Sequence, residues 1–226
     1  MVPSWTETLI EAGVEVIGRT RYCIHPADRV SSIPVVGGTK DWDLELITQL
    51  APDIVILDQE ENPLSMAQTC PAPYLATHVA SLQDMPLALE HLSKGLSNSR
   101  IQDFAREWTE VIKSRPAPQQ PARVDDVIYV IWKNPWMAVS RETFVGSMLA
   151  FCGYKLRYLG PEKYPMFDLE SLPGKERTLL MFSSEPYPFL QRKEGLEKLG
   201  FPTMLVDGEH YSWFGVRSLR FLKELK

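Results

Sequence analysis

The stretch that decides the fold is DWDLELITQLAPDIVILDQEEN, residues 41–62. Its first half predicts an α-helix that is capped by Asp41 or Asp43. The helix should end before Pro52, because the residue ahead of a proline avoids helical geometry. The second half, DIVILD, is a short continuous apolar run, which is typical of a buried parallel β-strand. A helix followed at once by a buried strand indicates an α/β fold in which helices cover a parallel sheet.

Helix and strand patterns alternate on both sides of this stretch. SWTETLIEAG, residues 4–13, predicts a helix that begins with a capping box of Ser4 and Glu7 and ends at Gly13. The further strand predictions are VEVIG (14–18), PYLAT (73–77), VIYVIW (127–132), RTLLMF (177–182) and PTMLVDG (202–208). The further helix predictions outside the middle of the chain are residues 140–153, 167–173, 186–200 and 213–226.

A helical middle section divides the chain. Residues 84–96 and 97–115 predict two helices, and the apolar face of the second includes Trp108, which indicates packing in a core. RPAPQQPAR, residues 115–123, contains three prolines and is the best candidate for a boundary. The similar segments DLELI (43–47) and DLESL (168–172) form a weak repeat, which indicates two related lobes.

The resulting fold prediction is α/β, with two Rossmann-like lobes that have parallel sheets and are bridged by one long helix. The expected boundaries are an N-terminal lobe at 1–96, a bridging helix at 97–115, a proline-rich connector at 116–123 and a C-terminal lobe at 124–226.

Composition and motifs limit the function. The net charge of −5 without a basic run argues against nucleic acid as the main partner. No apolar run is long enough to span a membrane. Three scattered cysteines form neither a disulfide framework nor a zinc motif. A phosphate-binding glycine loop and a G-x-S-x-G elbow are both missing from the sequence, so nothing in it supports catalysis.

Ligands of open parallel sheets bind beyond the carboxyl ends of the strands. Polar and aromatic residues follow each predicted strand, and we expect them to line a cleft between the lobes. The aromatic side chains could be a stacking platform or could pack beneath loops. Three histidines could instead form a metal site, although their spacing is not a local motif. The residues are Arg19, Arg21, Tyr22, His25, Glu60, His78, Trp132, Trp136, His210 and Trp213, and the metal hypothesis concerns His25, His78 and His210.

Several blocks resemble the helical-backbone solute-binding proteins of ABC importers, the receptors for vitamin B12, ferric siderophores and haem. They are VPSWTETLIEAG, VIGRTRYCIHP and IPVVGGTKDWDLELITQLAPDIVILDQEEN in the first lobe, and WKNPWMAVSRETFVGSMLAFCG and VDGEHYSWFGVRSL in the second. The resemblance is nearest to the cobalamin-binding branch. It implies two α/β lobes joined by one helix, a metal chelate in the cleft, and no tightly bound cofactor.

The resemblance also implies site roles. Glu45 and Glu170, in the two copies of the repeat, match the glutamates through which such proteins dock on arginines of the permease. At the places where a cobalamin receptor has aromatic residues, this chain has Lys40, Gln59 and Tyr164, and only the last is aromatic. Arginines would hold a siderophore, and Tyr22, His25 or His210 would ligate haem iron. The arginines are Arg19, Arg21 and Arg141.

We therefore expect a non-enzymatic solute-binding protein for a corrinoid, a ferric siderophore or haem. The alternatives are a cytoplasmic relative that acts as a sensor, chaperone or metal-dependent enzyme, or a direct zinc or manganese binder. The protein would be periplasmic if an upstream signal was omitted, and cytoplasmic if Met1 is the native start. In the resembling family a first strand leads into VPS, so the N-terminal lobe is expected to lack that strand and to leave an edge unpaired.

Overall fold

A computed structural model describes residues 2–193 and 195–225 of the chain. These residues form two compact units. Unit 1 extends to Lys113 and includes Trp213–Phe221, whereas unit 2 comprises Ser114–Ser212 and the chain from Leu222. The sequence-based boundaries differ from this division, because they place all residues after 123 in the C-terminal lobe. Within the described residues, no helix combines the length and the apolar composition that crossing a lipid bilayer requires.

Unit 1 contains a parallel pair of strands and most of the helices. The helix and the buried strand predicted in residues 41–62 are confirmed. Asp43 caps the helix by accepting a hydrogen bond from Leu46 N–H at 3.0 Å. The strands pair in parallel with Val55 opposite Tyr74. The elements are α1 (Pro3–Glu11), α2 (Ala27–Val30), α3 (Leu44–Leu50), β1 (Val55–Asp58), α4 (Leu64–Gln68), β2 (Tyr74–Thr77), α5 (Met85–Leu96), α6 (Ser99–Lys113) and the greater part of α9 (Val216–Glu224).

The start of α1 differs from the prediction. Its N-cap is Val2, no side chain caps it, and Pro3 occupies the first helical position, where a missing N–H group costs nothing. The capping box of Ser4 and Glu7 is therefore wrong. Glu7 is buried and binds Arg217 instead, with Nε and Nη2 of the arginine each 2.8 Å from a carboxylate oxygen.

The two middle helices are confirmed. Ser97 separates α5 from α6 and has a left-handed backbone with φ of 49°. Asn98 caps α6 by accepting from Ile101 N–H at 3.0 Å. Trp108 is fully buried, as its place on the apolar face predicted, and its indole N–H donates to Gly215 O at 3.1 Å. The long helix is thus fastened to unit 1 through its apolar face.

VEVIG, residues 14–18, is not a regular strand. The chain makes only an isolated parallel bridge between Arg19 and Val35 at this place. The prediction of a strand here is wrong. A strand forms a ladder of hydrogen bonds with a neighbouring strand, and residues 14–18 have no such ladder among the described residues.

Unit 2 contains a four-stranded sheet in the order β4-β3-β5-β6. The strands β3, β5 and β6 are parallel, and β4 is an antiparallel edge strand. The side chains of Ile128, Leu180, Phe182 and Phe189 form the centre of its core. The elements are β3 (Asp126–Trp132), β4 (Met137–Ala138), α7 (Phe144–Phe151), β5 (Thr178–Ser183), β6 (Thr203–Val206) and α8 (Gly208–Ser212).

Two predicted helices of unit 2 are not formed. Residues 167–173 make a turn in which Glu170 N–H donates to Asp168 Oδ1 at 3.1 Å. An aspartate that bonds the backbone two residues on favours a turn over a helix. In residues 186–200 the described part shows turns and one short 3₁₀ segment, Leu196–Leu199. Gly195, inside the predicted helix, has a left-handed backbone with φ of 87°, which interrupts a helix at that point.

Candidate functional site

Each unit has a group of polar or aromatic side chains at the carboxyl ends of its parallel strands. In unit 1 the group centres on Asp58, the last residue of β1. The indole N–H of Trp5 donates to Thr77 Oγ1 at 2.8 Å, and Thr77 Oγ1 lies 2.7 Å from Asp58 Oδ2. The side chain of Asn62 accepts from Asp58 N–H at 2.9 Å. Burial raises the pKa of Asp58 above its ordinary value, although the hydrogen bond from Thr77 acts in the opposite direction.

A histidine and a glutamate lie at the surface next to Asp58. Nε2 of His78 is 2.9 Å from Oε1 of Glu60, and both side chains are accessible. These residues follow β2 and β1, as predicted, and adjacent parallel strands bring them together. The pair is an accessible polar group at this edge of the sheet.

Arg21 and Asp41 form an exposed bidentate ion pair. The distances from Nη1 and Nη2 to the two carboxylate oxygens are 2.9 and 2.7 Å. The hydrogen bonds from Arg21 lower the pKa of Asp41, and those to Asp41 raise the pKa of Arg21. The guanidinium also lies 5.9 Å from the ring centre of Tyr22, whose side chain is exposed. An anionic ligand would have to compete with Asp41 for this arginine.

Arg19 has a different environment. Its Nε donates to the carbonyls of Val30 and Ile33, at 2.8 and 3.2 Å, and its Nη1 donates to the carbonyls of Thr20 and Cys23. These bonds tie the loop after residue 19 together. Its role in ligand binding stays a prediction.

His25 and Trp213 lie together in unit 1. Their ring centres are 5.4 Å apart at an interplanar angle of 69°, an edge-to-face contact. Trp213 is buried with 7% exposure, and Arg217 covers its ring at 5.3 Å. Arg217 is the residue bound by Glu7, so α1 and α9 together hold the Trp213 ring in place.

In unit 2 an aromatic and cationic group follows β3 and β5. We call it the Trp132 cluster, and its members are Trp132, Lys133, Trp136, Tyr187 and Arg192. Trp132 is 40% exposed, and its ring meets Tyr187 edge to face, with ring centres 5.6 Å apart. The guanidinium of Arg192 lies 5.3 Å from the Tyr187 ring centre, and its Nη1 is 3.2 Å from the Tyr187 hydroxyl.

Trp136 connects the Trp132 cluster to the core of unit 2. It stacks on buried Phe189 with ring centres 6.3 Å apart and an interplanar angle of 4°. Nζ of Lys133 lies 5.4 Å from the Trp136 ring centre. Rings and cations of this kind attract flat, electron-rich and anionic molecules.

The remaining predicted residues of unit 2 have other surroundings. Tyr164 is half exposed on the segment before residue 167. Nε2 of His210 is 3.7 Å from Oδ2 of Asp207. Burial raises the pKa of Tyr129 and Tyr211, which meet edge to face at 5.8 Å inside the unit. These two tyrosines are core residues.

The structure gives no support for the three-histidine metal site. Across residues 2–193 and 195–225, no group of three or more histidine, cysteine, aspartate or glutamate side chains is placed to hold a metal ion. His78 faces Glu60, and His25 faces Trp213, as described above.

The two predicted docking glutamates are exposed. Glu45 lies in the first turn of α3, where the helix dipole favours a charged carboxylate, and it accepts from Gln49 Nε2 at 3.3 Å. Glu170 lies in the turn of residues 167–173 and not on a helix, so the dipole argument does not apply to it.

Tyr187 and Arg192 are not predicted from the sequence, because the pattern of residues 186–200 indicates a helix. The available signal was the position of SSEPYP directly after the predicted strand 177–182. The buried pairing of Asp58 and Thr77 is likewise not predicted, and two consecutive strands that end in a polar residue are its one sequence signal.

The fold is that of known periplasmic binding proteins. No family model and no curated protein matches the sequence. Among solved structures, the haem-binding protein RhuT of Roseiflexus sp. RS-1 is 17% identical, with 99% of this chain and 93% of that chain covered and a TM-score of 0.76. A haem-binding protein of Pseudomonas aeruginosa is 19% identical, with 99% and 88% covered and a TM-score of 0.74.

The vitamin B12-binding protein BtuF of Vibrio cholerae is 15% identical, with 100% and 92% covered and a TM-score of 0.72. All three are periplasmic proteins by description, and the similarity extends over nearly the whole of each chain. The chain therefore has the mixed α/β fold, with parallel sheets, of the helical-backbone binding proteins, as the sequence predicted.

Proposed function

We propose that this protein is the solute-binding component of an ABC importer, and that its solute is a metal chelate with a flat conjugated or aromatic portion. The observation that supports this most is the Trp132 cluster. It offers an exposed indole, a tyrosine and two cations at the carboxyl ends of parallel strands. Such edges are the usual binding place in sheets of this kind.

The fold points to the same class of solute. The similar structures are described as binding haem or vitamin B12, and both are flat metal macrocycles. Haem and a corrinoid are therefore candidates, and the resemblance of the sequence to siderophore receptors makes a ferric siderophore the third. Cations beside the aromatic rings favour the candidates that carry carboxylates or catecholates, since a guanidinium binds such groups through two parallel hydrogen bonds.

The binding test is a titration that follows tryptophan fluorescence. Hemin, cyanocobalamin and a ferric tris-catecholate are added in turn, and we expect one of them to quench strongly. Trp132→Leu removes the exposed ring and should raise the Kd about tenfold, because an aromatic contact contributes about 0.5–1.5 kcal/mol beyond its buried area. Arg192→Gln should weaken an anionic ligand and leave a neutral corrinoid unaffected.

Trp42→Phe is the matched control, because Trp42 is a half-buried tryptophan of unit 1 outside the cluster. It should change the starting fluorescence and leave the Kd as in the wild type. Absence of quenching by all three compounds would disprove the proposal. Equal affinity of wild type and Trp132→Leu would show that the Trp132 cluster takes no part in solute binding.

Docking on the permease through Glu45 and Glu170 is part of the same proposal. Both are exposed carboxylates, and exposed charges at an interface act mainly on partner choice and on the association rate. Glu45→Arg and Glu170→Arg should each abolish the stimulation of ATP hydrolysis by the reconstituted transporter and leave the Kd for the solute unchanged. Glu142→Arg, at another exposed glutamate, is the control. Normal stimulation by both charge-reversal variants would exclude this docking mode.

The proposal places the protein in the periplasm and assigns it no catalytic step. Its support is the periplasmic description of the three similar structures. Comparing periplasmic and cytoplasmic fractions of the native host by immunoblotting tests the location. Recovery of the protein in the cytoplasmic fraction alone would favour the sensor or chaperone alternative.

A further inference from the structure

A cavity with a basic lining lies within unit 2. Its volume is about 300 Å³, at the lower end of the range of small-molecule pockets. The titratable residues that line it are Arg115, Arg141, Tyr154 and Lys155, so its charged residues are all cations. In a protein whose net charge is −5, such a lining points to an anionic ligand. We call this cavity the unit 2 basic pocket.

The pocket lies at the amino end of β3. Leu156, another lining residue, forms a parallel bridge with Val127, and Lys155 O accepts from Val127 N–H at 2.8 Å. Trp132 ends the same strand five residues later, which is about 16 Å at the usual rise per residue. The unit 2 basic pocket and the Trp132 cluster are therefore separate places at opposite ends of β3.

Backbone carbonyl groups hold both arginines in position. Arg115 lies at the carboxyl end of α7, where its Nε donates to Phe151 O at 3.0 Å and its Nη2 donates to Ala150 O. The strand β4 runs antiparallel to β3 and carries the chain back towards the amino end of β3. Arg141 follows β4, and its Nη2 donates to Leu156 O at 3.0 Å. The two guanidinium groups are thus oriented by the protein itself.

Most N–H groups of these two arginines have no acceptor within the described residues. A guanidinium has five N–H groups, and the bonds above use two on Arg115 and one on Arg141. No described carboxylate forms an ion pair with either arginine. The Lys155 ammonium acts on Asp125, but that carboxylate is already paired with Arg177. Capping of α7 explains the place of Arg115, whereas it does not explain why two more cations lie beside it.

The uncharged part of the lining is buried. Tyr154 is 7% exposed and Leu156 is 3% exposed, and the Tyr154 side chain is hydrogen-bonded to Tyr211 in the core. Charges beside a buried apolar wall interact more strongly than charges that water surrounds on all sides. An anion in the pocket would therefore be bound more strongly than one at three separate surface cations.

We propose that the unit 2 basic pocket binds a small soluble molecule that carries a diphosphate group. A guanidinium can hold two phosphate oxygens through parallel hydrogen bonds, and a lysine adds the point charge that phosphates also attract. A diphosphate has enough oxygens and charge for three cations, whereas a single carboxylate has only two oxygens. This ligand is distinct from the metal chelate, because the Trp132 cluster lies at the other end of β3.

Isothermal titration calorimetry with pyrophosphate tests the proposal, in about 150 mM NaCl so that weak surface attraction is screened. The wild type should bind one pyrophosphate per chain. Arg141→Gln and Lys155→Gln should each raise the Kd about tenfold, because each removes a charge-assisted contact. Arg141→Lys keeps the charge without the two-pronged geometry and should raise the Kd by a smaller factor.

Arg123→Gln is the matched control. Arg123 is an exposed arginine of unit 2 that does not line the pocket, so its removal changes the net charge equally and should leave the Kd unchanged. Lys155→Gln guards against a folding defect, because the Lys155 ammonium makes no hydrogen bond within the described residues. If Arg141→Gln fails to fold, the comparison of Lys155→Gln with Arg123→Gln decides.

Four results would overturn the proposal. The first is no heat of binding with pyrophosphate, and the second is an equal loss of affinity in Arg123→Gln and Lys155→Gln. The third is binding of citrate as tight as that of pyrophosphate, which would indicate a carboxylate site. The fourth is binding to phosphatidylglycerol vesicles without binding of free pyrophosphate, which would indicate a lipid headgroup. None of these titrations contains a metal chelate, so the proposed function stands or falls separately.

Discussion

Glu7→Gln is the substitution for which the structure predicts the clearest loss of stability. The Glu7 side chain is 5% exposed, and Arg217 binds both of its oxygens at 2.8 Å with its own side chain 19% exposed. Glutamine keeps the shape and one acceptor but leaves the arginine charge without an anion in a nearly closed site. Removing one partner of a buried ion pair costs about 3–5 kcal/mol. Because Arg217 is one-fifth exposed, we expect about 3 kcal/mol.

Urea unfolding followed by tryptophan fluorescence measures this loss, since Trp5, Trp108 and Trp213 all lie in unit 1. With a slope of about 2–3 kcal/mol/M, a loss of about 3 kcal/mol lowers the midpoint by on the order of 1 M. The double variant with Glu7→Met and Arg217→Met should recover most of this, because replacing a whole buried pair by apolar side chains is often neutral.

Asp125→Asn is the matched control for Glu7→Gln. Asp125 and Arg177 also form a bidentate pair, but both side chains are more than half exposed, and exposed pairs contribute little. This control should not shift the midpoint measurably. A Glu7→Gln midpoint equal to that of Asp125→Asn, or a double variant as unstable as Glu7→Gln, would refute the reasoning.

Three further predictions concern stability and reactivity. Burial raises the pKa of Asp58 in the folded state. The contribution of the protonated Asp58 carboxyl to folding stability is therefore complete below the unfolded pKa of about 3.9, and it is lost as the pH rises through the folded pKa. Asp58→Asn should therefore gain stability over the wild type between pH 4 and pH 7, and a constant difference in urea midpoint would contradict this. Burial raises the pKa of Cys152 to about 12, so Ellman's reagent at pH 8 should label Cys70 first and leave Cys152 untouched until urea is added. Fast labelling by Ellman's reagent that persists in Cys70→Ala would contradict this order of labelling. Gly146→Ala should destabilise unit 2 by about 1–3 kcal/mol, because the new methyl group would lie 2.2 Å from Ser140 O, while Ser147→Ala on the same helix should be nearly neutral by thermal melting.

Local patterns predicted the elements whose causes are local. Residues 41–62 gave a correctly capped helix and a buried strand, because Asp43, Pro52 and a continuous apolar run each act within a few residues. The failures have equally local reasons. Pro3 displaced the expected cap at Ser4, and Asp168 turned the chain where a helix was expected.

The candidate site was predicted in part. The rule that ligands bind beyond the carboxyl ends of strands selected Trp132 and Trp136, and it brought Glu60 to His78. The same rule could not show that Arg19 is occupied by carbonyl groups or that Tyr187 stands beside Trp132. Those contacts depend on how the loops return to the sheet, which no local pattern specifies.

By itself, the sequence determined most of the alternation of helices and strands and the α/β class, since hydrophobic periodicity and helix-ending residues act over short distances. Only the tertiary structure decided that residues 213–221 belong to unit 1 and that Glu7 meets Arg217 across 210 positions. It alone showed that residues 14–18 and 53–56 line one cavity of unit 1. These features depend on the packing of distant segments, where burial and hydrogen-bond satisfaction select one arrangement from many that the local patterns allow.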